Sequence, residues 1–286
     1  MFLTHFRLNA DPFAVALDPE FFYPGRDHRE ALAMLYYVVT QRRGCGMMLA
    51  ETGLGKTLVL RYLRRLIGSG ADMIFLTAPL DGPELLDSIG VELGIPPEIS
   101  ARHRRLRVIE ETLAAKSRKG RQVILAIDDA DQLTADAFEL LQIVCGFENA
   151  NGKTMDVLLS GRPALMRALA SPVLERLRQT IDASCRIAPL DPKATAEYLS
   201  HRLTRAGSTH NLFTDEAAGL VAAVTQGVPR RINQLGHQTL ARAWSRGFDR
   251  VDEDVVWEVI YELPVPDLLA CAPALRGVKE LIDPRA

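Results

Sequence analysis

Apolar and polar segments alternate along the first two thirds of the chain. Short apolar stretches such as 44–50 and 123–127 have the length and composition of buried strands. Between them, as in residues 57–67, apolar side chains recur at helical spacing with charged side chains opposite. Strands that alternate with helices are typical of a parallel sheet covered by helices on both faces. We therefore predict an α/β fold built on a three-layer parallel sheet.

The same pattern predicts further elements of this sheet. Residues 72–79 and 155–163 have the pattern of strands, and residues 82–95 and 134–147 have that of amphipathic helices. Together with the first two strands, these elements give the strand and helix order of a parallel α/β domain.

The pattern changes near residue 190. Strand-like stretches end there, and helical periodicity continues to about Leu263. Pro189, Pro192 and the helix-start residue Asp191 mark the boundary. The predicted organisation is an α/β nucleotide-binding domain over residues 1–190, a small all-helical lid domain over 191–263, and a C-terminal tail over 264–286.

A glycine-rich stretch, AETGLGKT at residues 50–57, lies between the first strand and the first helix of the sheet domain. A P-loop has a glycine or other small residue, four intervening residues and then Gly-Lys-Ser/Thr, and here Ala50 takes the first position. Gly53 and Gly55 let the loop wrap with its N–H groups inward. Lys56 is placed to reach the β- and γ-phosphates, and Thr57 offers a hydroxyl to Mg²⁺. The predicted nucleotide-binding residues here are Ala50, Glu51, Thr52, Gly53, Leu54, Gly55, Lys56, Thr57 and Leu58.

Two carboxylates follow the apolar run at 123–127. A buried parallel strand delivers such acids to the carboxyl edge of a sheet, where ligands bind, and residues 123–129 therefore form a Walker B pattern. Asp128 is expected to hold Mg²⁺, and Asp129 is expected to polarise the attacking water. An acidic helix cap after a core strand is the structural alternative. The order of the two motifs favours a site for ATP and Mg²⁺.

Composition is consistent with a soluble globular protein: the chain has 286 residues, of which 48% are hydrophobic and 24% charged. We expect a cytoplasmic protein without direct membrane insertion, because no apolar run reaches eighteen residues and no leader pattern begins the chain. The net charge of −2 argues against binding nucleic acid through charge over the whole surface. Residues 101–122 are a local exception, with six Arg and two Lys against two Glu. This run is either a solvated helix face or a strip that binds duplex DNA or a partner.

A P-loop domain followed by a helical lid resembles the AAA+ ATPases, and the finer match is to the ExeA-type ATPases of general secretion pathway protein A. The likeness covers nearly the whole chain, beginning in the N-terminal segment (residues 1–46) with FRLNADPFAVALDPEFFYPGRDHREAL. It continues through the two nucleotide motifs, SGRPAL, AEYLSHRLTRAG and GVPRRIN. The resemblance implies ATP hydrolysis, an N-terminal segment beside the adenine, and Arg230 as a lid arginine that contacts the γ-phosphate. An ordinary exposed arginine beside Arg231 is the alternative for Arg230.

Three positions depart from the pattern of this family. Asp129 stands where the family usually has Glu, and Arg162 stands where it has Gln. Thr180 stands where the family has an arginine that acts on a neighbouring subunit, which leaves Arg176 and Arg178 as substitutes. These changes put fast hydrolysis in question but leave nucleotide binding in place.

Three functions follow as hypotheses. The first is an ATPase that works as an oligomeric motor or switch on protein partners in secretion or envelope assembly. The second is a DNA-associated ATPase similar to the target-selecting helpers of transposition, which belong to mobile-element machinery. The third is a slowly hydrolysing scaffold for which ATP binding is itself the signal. For each of them we expect a homo-oligomer.

Overall fold

The computed structural model describes residues 2–14, 18–99, 101–150 and 152–262. Its strands, in chain order, are β1 (Cys45–Ala50), β2 (Ala71–Thr77), β3 (Gln122–Asp128), β4 (Glu148–Asn149), β5 (Gly152–Lys153), β6 (Asp156–Gly161) and β7 (Ile181–Ile187). Its helices are α1 (Phe2–His5), α2 (Arg26–Thr40), α3 (Lys56–Ile67), α4 (Gly82–Glu92), α5 (Arg102–Arg118), α6 (Ala135–Val144), α7 (Ala164–Leu169), α8 (Glu175–Thr180), α9 (Pro192–Arg205), α10 (Asp215–Thr225), α11 (Pro229–Arg246) and α12 (Glu253–Glu262).

The chain divides into two compact units. The α/β unit consists of residues 26–52 and 56–188. The helical unit consists of the described residues before 26, residues 53–55, and the described residues from 189 onward. The predicted tail over 264–286 lies outside the described residues. None of the described helices is long and apolar enough to cross a membrane.

The α/β unit is built on a five-stranded parallel sheet with the order β2–β3–β6–β1–β7. Helices α4, α5 and α6 cover one face, where Leu85, Ile109 and Leu141 join the core of the sheet. Helix α2 covers the other face, since a Cβ at Gly46 would lie 3.3 Å from the side chain of Val38. A parallel sheet between two helical layers, followed by a helical region, confirms the predicted fold class.

Strand β7 was not predicted from the sequence. Its sequence IDASCRI alternates apolar with polar residues, and its side chains alternate between half-buried and exposed positions up to the buried Ile187. Within the described residues the strand pairs with β1 alone and forms an edge of the sheet. An edge strand needs no continuous apolar run, because one of its sides is not enclosed by neighbouring strands.

The helical unit has a separate core, formed by α9 to α12 and the described residues before 26. The ring of Phe13 contacts Phe213 edge to face at 6.0 Å, and the Arg202 guanidinium donates to the carbonyl of Pro12. The N–H of Asn9 donates to the Ala206 carbonyl at 2.7 Å. The predicted assignment placed residues 1–46 in the α/β domain, whereas the structure divides this segment at residue 26. Before that point Phe6 and Phe13 are buried in the helical core, and Phe2, Phe21 and Tyr23 pack against it while partly buried.

Candidate nucleotide site

The glycine-rich loop connects the end of β1 to the first residue of α3. Gly53 and Gly55 have φ angles of 85° and 91°, which glycine adopts at little cost. Lys56 is only 6% exposed, and its Nζ donates to the carbonyls of Ala50 at 3.1 Å and Glu51 at 3.4 Å. A loop of this kind at a helix N-terminus presents N–H groups and a positive dipole end to an anion.

The carboxylate of Asp128 is buried and held by three donors. The hydroxyl of Thr57 donates to Oδ2, the hydroxyl of Ser160 donates to Oδ1 at 2.9 Å, and the N–H of Asp129 donates to Oδ1 at 3.1 Å. Hydrogen bonds to an ionised acceptor are stronger than neutral ones and fix its direction. The structure therefore brings the hydroxyl of the P-loop and the first acid of the Walker B pattern into direct contact.

Ser160 was missed by the sequence prediction. Strand β6 pairs in parallel with β3, with Ile127 opposite Leu159, so that Asp128 and Ser160 follow side by side. In the sequence, Ser160 stands out only as a hydroxyl at the end of an otherwise apolar run. The order of the strands in the sheet was needed to identify Asp128 as its partner.

Asp129 lies beside Lys56, with 3.7 Å between its Oδ1 and the lysine Nζ. Its backbone is left-handed, with φ 51° and ψ 36°, a conformation that Asp adopts more readily than most residues. Burial, followed by the adjacent Asp128 carboxylate, raises the pKa of Asp129 above its ordinary value of 3.8, although Lys56 opposes this change. A carboxylate with a raised pKa accepts a proton more readily, as a general base requires.

Arg162 and Asp131 form a second pair that was not predicted. The side chain of Asp131 is fully buried, and it accepts the backbone N–H of Arg162 at 2.9 Å and its Nε–H at 2.7 Å. Arg162 also lines a cavity of about 550 Å³, together with Glu51, Pro163, Ala164 and Arg167.

The predicted loop residues differ in burial. Ala50, Leu54 and Lys56 are buried, Gly53, Gly55, Thr57 and Leu58 are half-buried, and Glu51 and Thr52 are exposed. The buried members anchor the loop, while the others leave part of its surface open to a ligand.

The predicted arginines lie in different parts of the fold. Arg230 is the second residue of α11 in the helical unit, and it is exposed. Its backbone N–H donates to the carbonyl of Gly53 at 3.2 Å. A Cβ at Gly53 would lie 2.9 Å from the Arg230 Cβ, so glycine is required for this approach. Arg176 and Arg178 are exposed on the short helix α8.

The basic run at 101–122 is partly neutralised. Arg105 is buried and lies 3.0 Å from the carboxylate of Asp87, while Lys116 and Arg121 both contact Asp72. Arg107 pairs with a glutamate one helical turn away. Four further cations of the run are exposed: Arg102, Arg104, Arg118 and Lys119. The run therefore has a structural role in addition to any role in binding.

The oxygen donors of the site are suited to Mg²⁺. This cation is commonly held by one or two protein oxygens together with substrate phosphates, and Thr57 and Asp128 supply such oxygens beside the loop. Within the described ranges, no group of three or more His, Cys, Asp or Glu side chains could hold a metal ion. The arrangement fits a cation that is shared with a phosphate ligand.

Comparison with known proteins agrees with this geometry. The model of the AAA domain family matches residues 39–169. The chain thus carries an AAA domain over these residues. It is related to General secretion pathway protein A of Aeromonas hydrophila, with 29% identity over 265 residues, which are 92% of this chain and 48% of that protein. This chain thus spans about half the length of this relative.

Two solved structures illustrate the fold that this chain shares with known proteins. The Aeropyrum pernix ORC2 protein, in ADPNP and ADP complexes, has a TM-score of 0.69 at 16% identity, covering 89% of this chain and 72% of that one. The Aeropyrum pernix ORC1 protein in complex with DNA has a TM-score of 0.65 at 17% identity, covering 90% and 69%. At these identities the likeness concerns the fold alone.

Proposed function

We propose that this AAA domain protein binds ATP with Mg²⁺ and hydrolyses it to ADP and phosphate. The observation that carries the proposal is the convergence of Lys56, Thr57, Asp128 and Asp129 at the carboxyl edge of the sheet. A cation, a metal-binding pair and a carboxylate with raised pKa are the groups that phosphoryl transfer to water requires.

Each group has a separate role in this proposal. The N–H groups of the loop at residues 50–58 and the ammonium of Lys56 hold the phosphates. Thr57 and Asp128 hold Mg²⁺, which neutralises charge on the phosphates when it is bound. Asp129 accepts the proton of the attacking water. Arg230 is proposed as the lid arginine that contacts the γ-phosphate, as the family resemblance implies.

The decisive variant is Lys56→Ala. It removes the buried cation of the loop, so affinity for a fluorescent ATP analogue should fall by at least about tenfold, since hydrogen bonds to charged groups contribute about 1.5–3 kcal/mol. Lys119→Ala, which removes an exposed lysine outside the site, is the control. If the Lys56 variant bound ATP as tightly as the control, the site assignment would be wrong.

We propose that the biological role is that of an oligomeric motor or switch acting on a protein partner in secretion or envelope assembly. The relationship to General secretion pathway protein A supports this role. In nucleotide-driven assemblies of this kind an arginine can act on a neighbour's phosphate. Arg176 and Arg178 are the candidates that the sequence offers, and both are exposed.

A DNA-associated ATPase is the second candidate function. Exposed cations of the basic run, among them Arg102, Arg104, Arg118 and Lys119, favour it, and the structurally similar ORC1 protein is bound to DNA. Particle mass measured with ATP, with and without duplex DNA, separates the two functions. Assembly that requires DNA supports this second candidate, whereas equal assembly in both samples supports a protein-directed switch.

A further inference from the structure

We propose that the amino edge of the sheet, opposite the nucleotide motifs, binds the surface of an anionic lipid bilayer. This inference concerns a surface outside the ATP site and goes beyond the proposed function. The surface lies within the α/β unit and is formed by the starts of the strands and by the helix ends that lead into them. We call it the amino-edge face, and it comprises residues 37–43, 64–72, 116–122, 143–149, 152–156 and 181–182.

The topology of the sheet brings these segments together. All of its strand pairings are parallel, so the strands begin at one edge and end at the other. Helices α2, α3 and α5 each lead into a strand, and their last turns therefore lie at the amino edge. Helix α6 ends there too, because the hairpin of β4 and β5 connects it to the start of β6.

Cations accumulate just before the strands. Arg42 precedes β1, and Arg64 lies in the last turn of α3 before β2. Arg118 and Lys119 lie together shortly before β3. Within the described residues, none of these four side chains has a hydrogen bond or an ion pair, and all but the half-buried Arg42 are exposed. From β2 to β1 they extend over three strand spacings, or about 14 Å.

The carboxylates at the same edge are already engaged. Three of them pair with cations: Asp72 with Lys116 and Arg121, Glu148 with Lys153, and Asp182 with Arg43. A further one, Asp156, is buried and accepts the N–H of Gly44 at 3.0 Å and the side-chain amide of Gln122 at 2.6 Å. The charge that remains available to a ligand on this face is therefore positive.

Exposed apolar side chains lie among these cations. Leu66 is 50% exposed in the last turn of α3, two residues after Arg64, and Ile143 is 43% exposed in the last turn of α6. Tyr37 is 49% exposed in the last turn of α2, and the guanidinium of Arg43 lies over its ring at 5.9 Å. Cations interspersed with apolar and aromatic side chains are typical of protein surfaces that rest in the headgroup region of a bilayer.

A bilayer accounts for both properties of the amino-edge face. Anionic headgroups attract the cations, and the boundary of the acyl chains accepts the apolar side chains. Duplex DNA also offers phosphates to the cations, but its backbone presents no apolar surface to Leu66 or Ile143. Cations in a last turn also complement the helix dipole, but the dipole gives no reason for the exposed leucine and isoleucine beside them.

The test measures binding of the full chain to vesicles made of equal parts of phosphatidylcholine and phosphatidylserine. Vesicles of phosphatidylcholine alone are the reference. The edge variant combines Arg64→Gln, Arg118→Gln and Lys119→Gln. The control variant combines Arg29→Gln, Arg102→Gln and Arg104→Gln, which remove the same charge at exposed positions in the first turns of α2 and α5. Circular dichroism shows whether each variant is folded.

The wild type should sediment with the anionic vesicles and not with phosphatidylcholine alone. Because each cation at an anionic surface strengthens binding about fivefold, the edge variant should bind about a hundredfold more weakly. Leu66→Ser should weaken binding to the same vesicles severalfold, since it removes an apolar side chain from the acyl boundary. The control variant should bind as the wild type does.

Equal binding of the wild type and the folded edge variant would overturn the inference, because the cations would then serve only the helix ends. An equal loss in the control variant would also overturn it, since net charge and not this face would be responsible. Duplex DNA is the third ligand. If the wild type bound duplex DNA but not the anionic vesicles, a bilayer would be the wrong partner.

Discussion

Lengthening the side chain at position 129 tests whether a short base limits hydrolysis. Asp129→Glu adds one methylene, which extends the carboxylate by roughly 1.5 Å along a carbon–carbon bond. In the structure the carboxylate of Asp129 lies 3.7 Å from the Lys56 ammonium, and the proposed mechanism gives this carboxylate the activation of the attacking water. A misplacement of about 1 Å can change a rate by about a hundredfold. We therefore expect turnover to rise between about tenfold and a hundredfold.

The backbone at this position sets a cost for the same substitution. Asp tolerates the left-handed conformation at φ 51° better than Glu does, and forcing other residues into it costs about 1 kcal/mol or more. The free energy of unfolding should fall by about that amount, which a denaturant titration measures. Affinity for ATP should change little, because the side chain acts on the water.

Steady-state phosphate release at saturating ATP and matched protein concentration decides the question. Asp129→Asn is the control, since it keeps the side-chain size, cannot accept the proton as a carboxylate does, and should be slower than the wild type. Turnover of Asp129→Glu equal to or below that of the wild type, in a protein that remains folded, would refute the reasoning. It would mean that the left-handed turn already places Asp129 correctly.

Three further predictions concern positioning, pH and assembly. Ser160→Ala removes one of the bonds to the Asp128 carboxylate, so the Mg²⁺ concentration needed for half-maximal ATP binding should rise severalfold; an unchanged Mg²⁺ titration would contradict this. Hydrogen bonds from Lys116, and secondarily from Arg121, lower the pKa of Asp72 below its ordinary value of 3.8. The ionised Asp72 therefore stabilises the folded state above pH 3.8, and this stabilisation is lost as the pH falls through the lowered pKa. Asp72→Asn should lower the free energy of unfolding at pH 7 by about 0.5–1 kcal/mol, with the difference shrinking in denaturant titrations below pH 3.8. Saturating ATP should increase the particle mass in sedimentation, and a monomer at tens of micromolar protein would count against this.

The sequence by itself determined the sheet fold and the two nucleotide motifs. The elements of each motif are neighbours along the chain: β1, the glycines and Lys56 are consecutive, and Asp128 and Asp129 end one apolar strand. Backbone freedom, helix polarity and strand burial act over a few residues, so pattern and spacing are sufficient to locate them.

Tertiary structure decided which side chains complete the site. Ser160 meets Asp128, and Arg162 meets Asp131, only because β6 lies next to β3 with a definite register. These partners are about thirty residues apart in sequence. The edge strand β7 alternates apolar and polar residues without a continuous apolar run, and its place in the sheet is known only from its pairing with β1. The register and burial of a strand depend on packing between segments that are distant in sequence. The hydrophobic pattern of one segment alone therefore does not predict them.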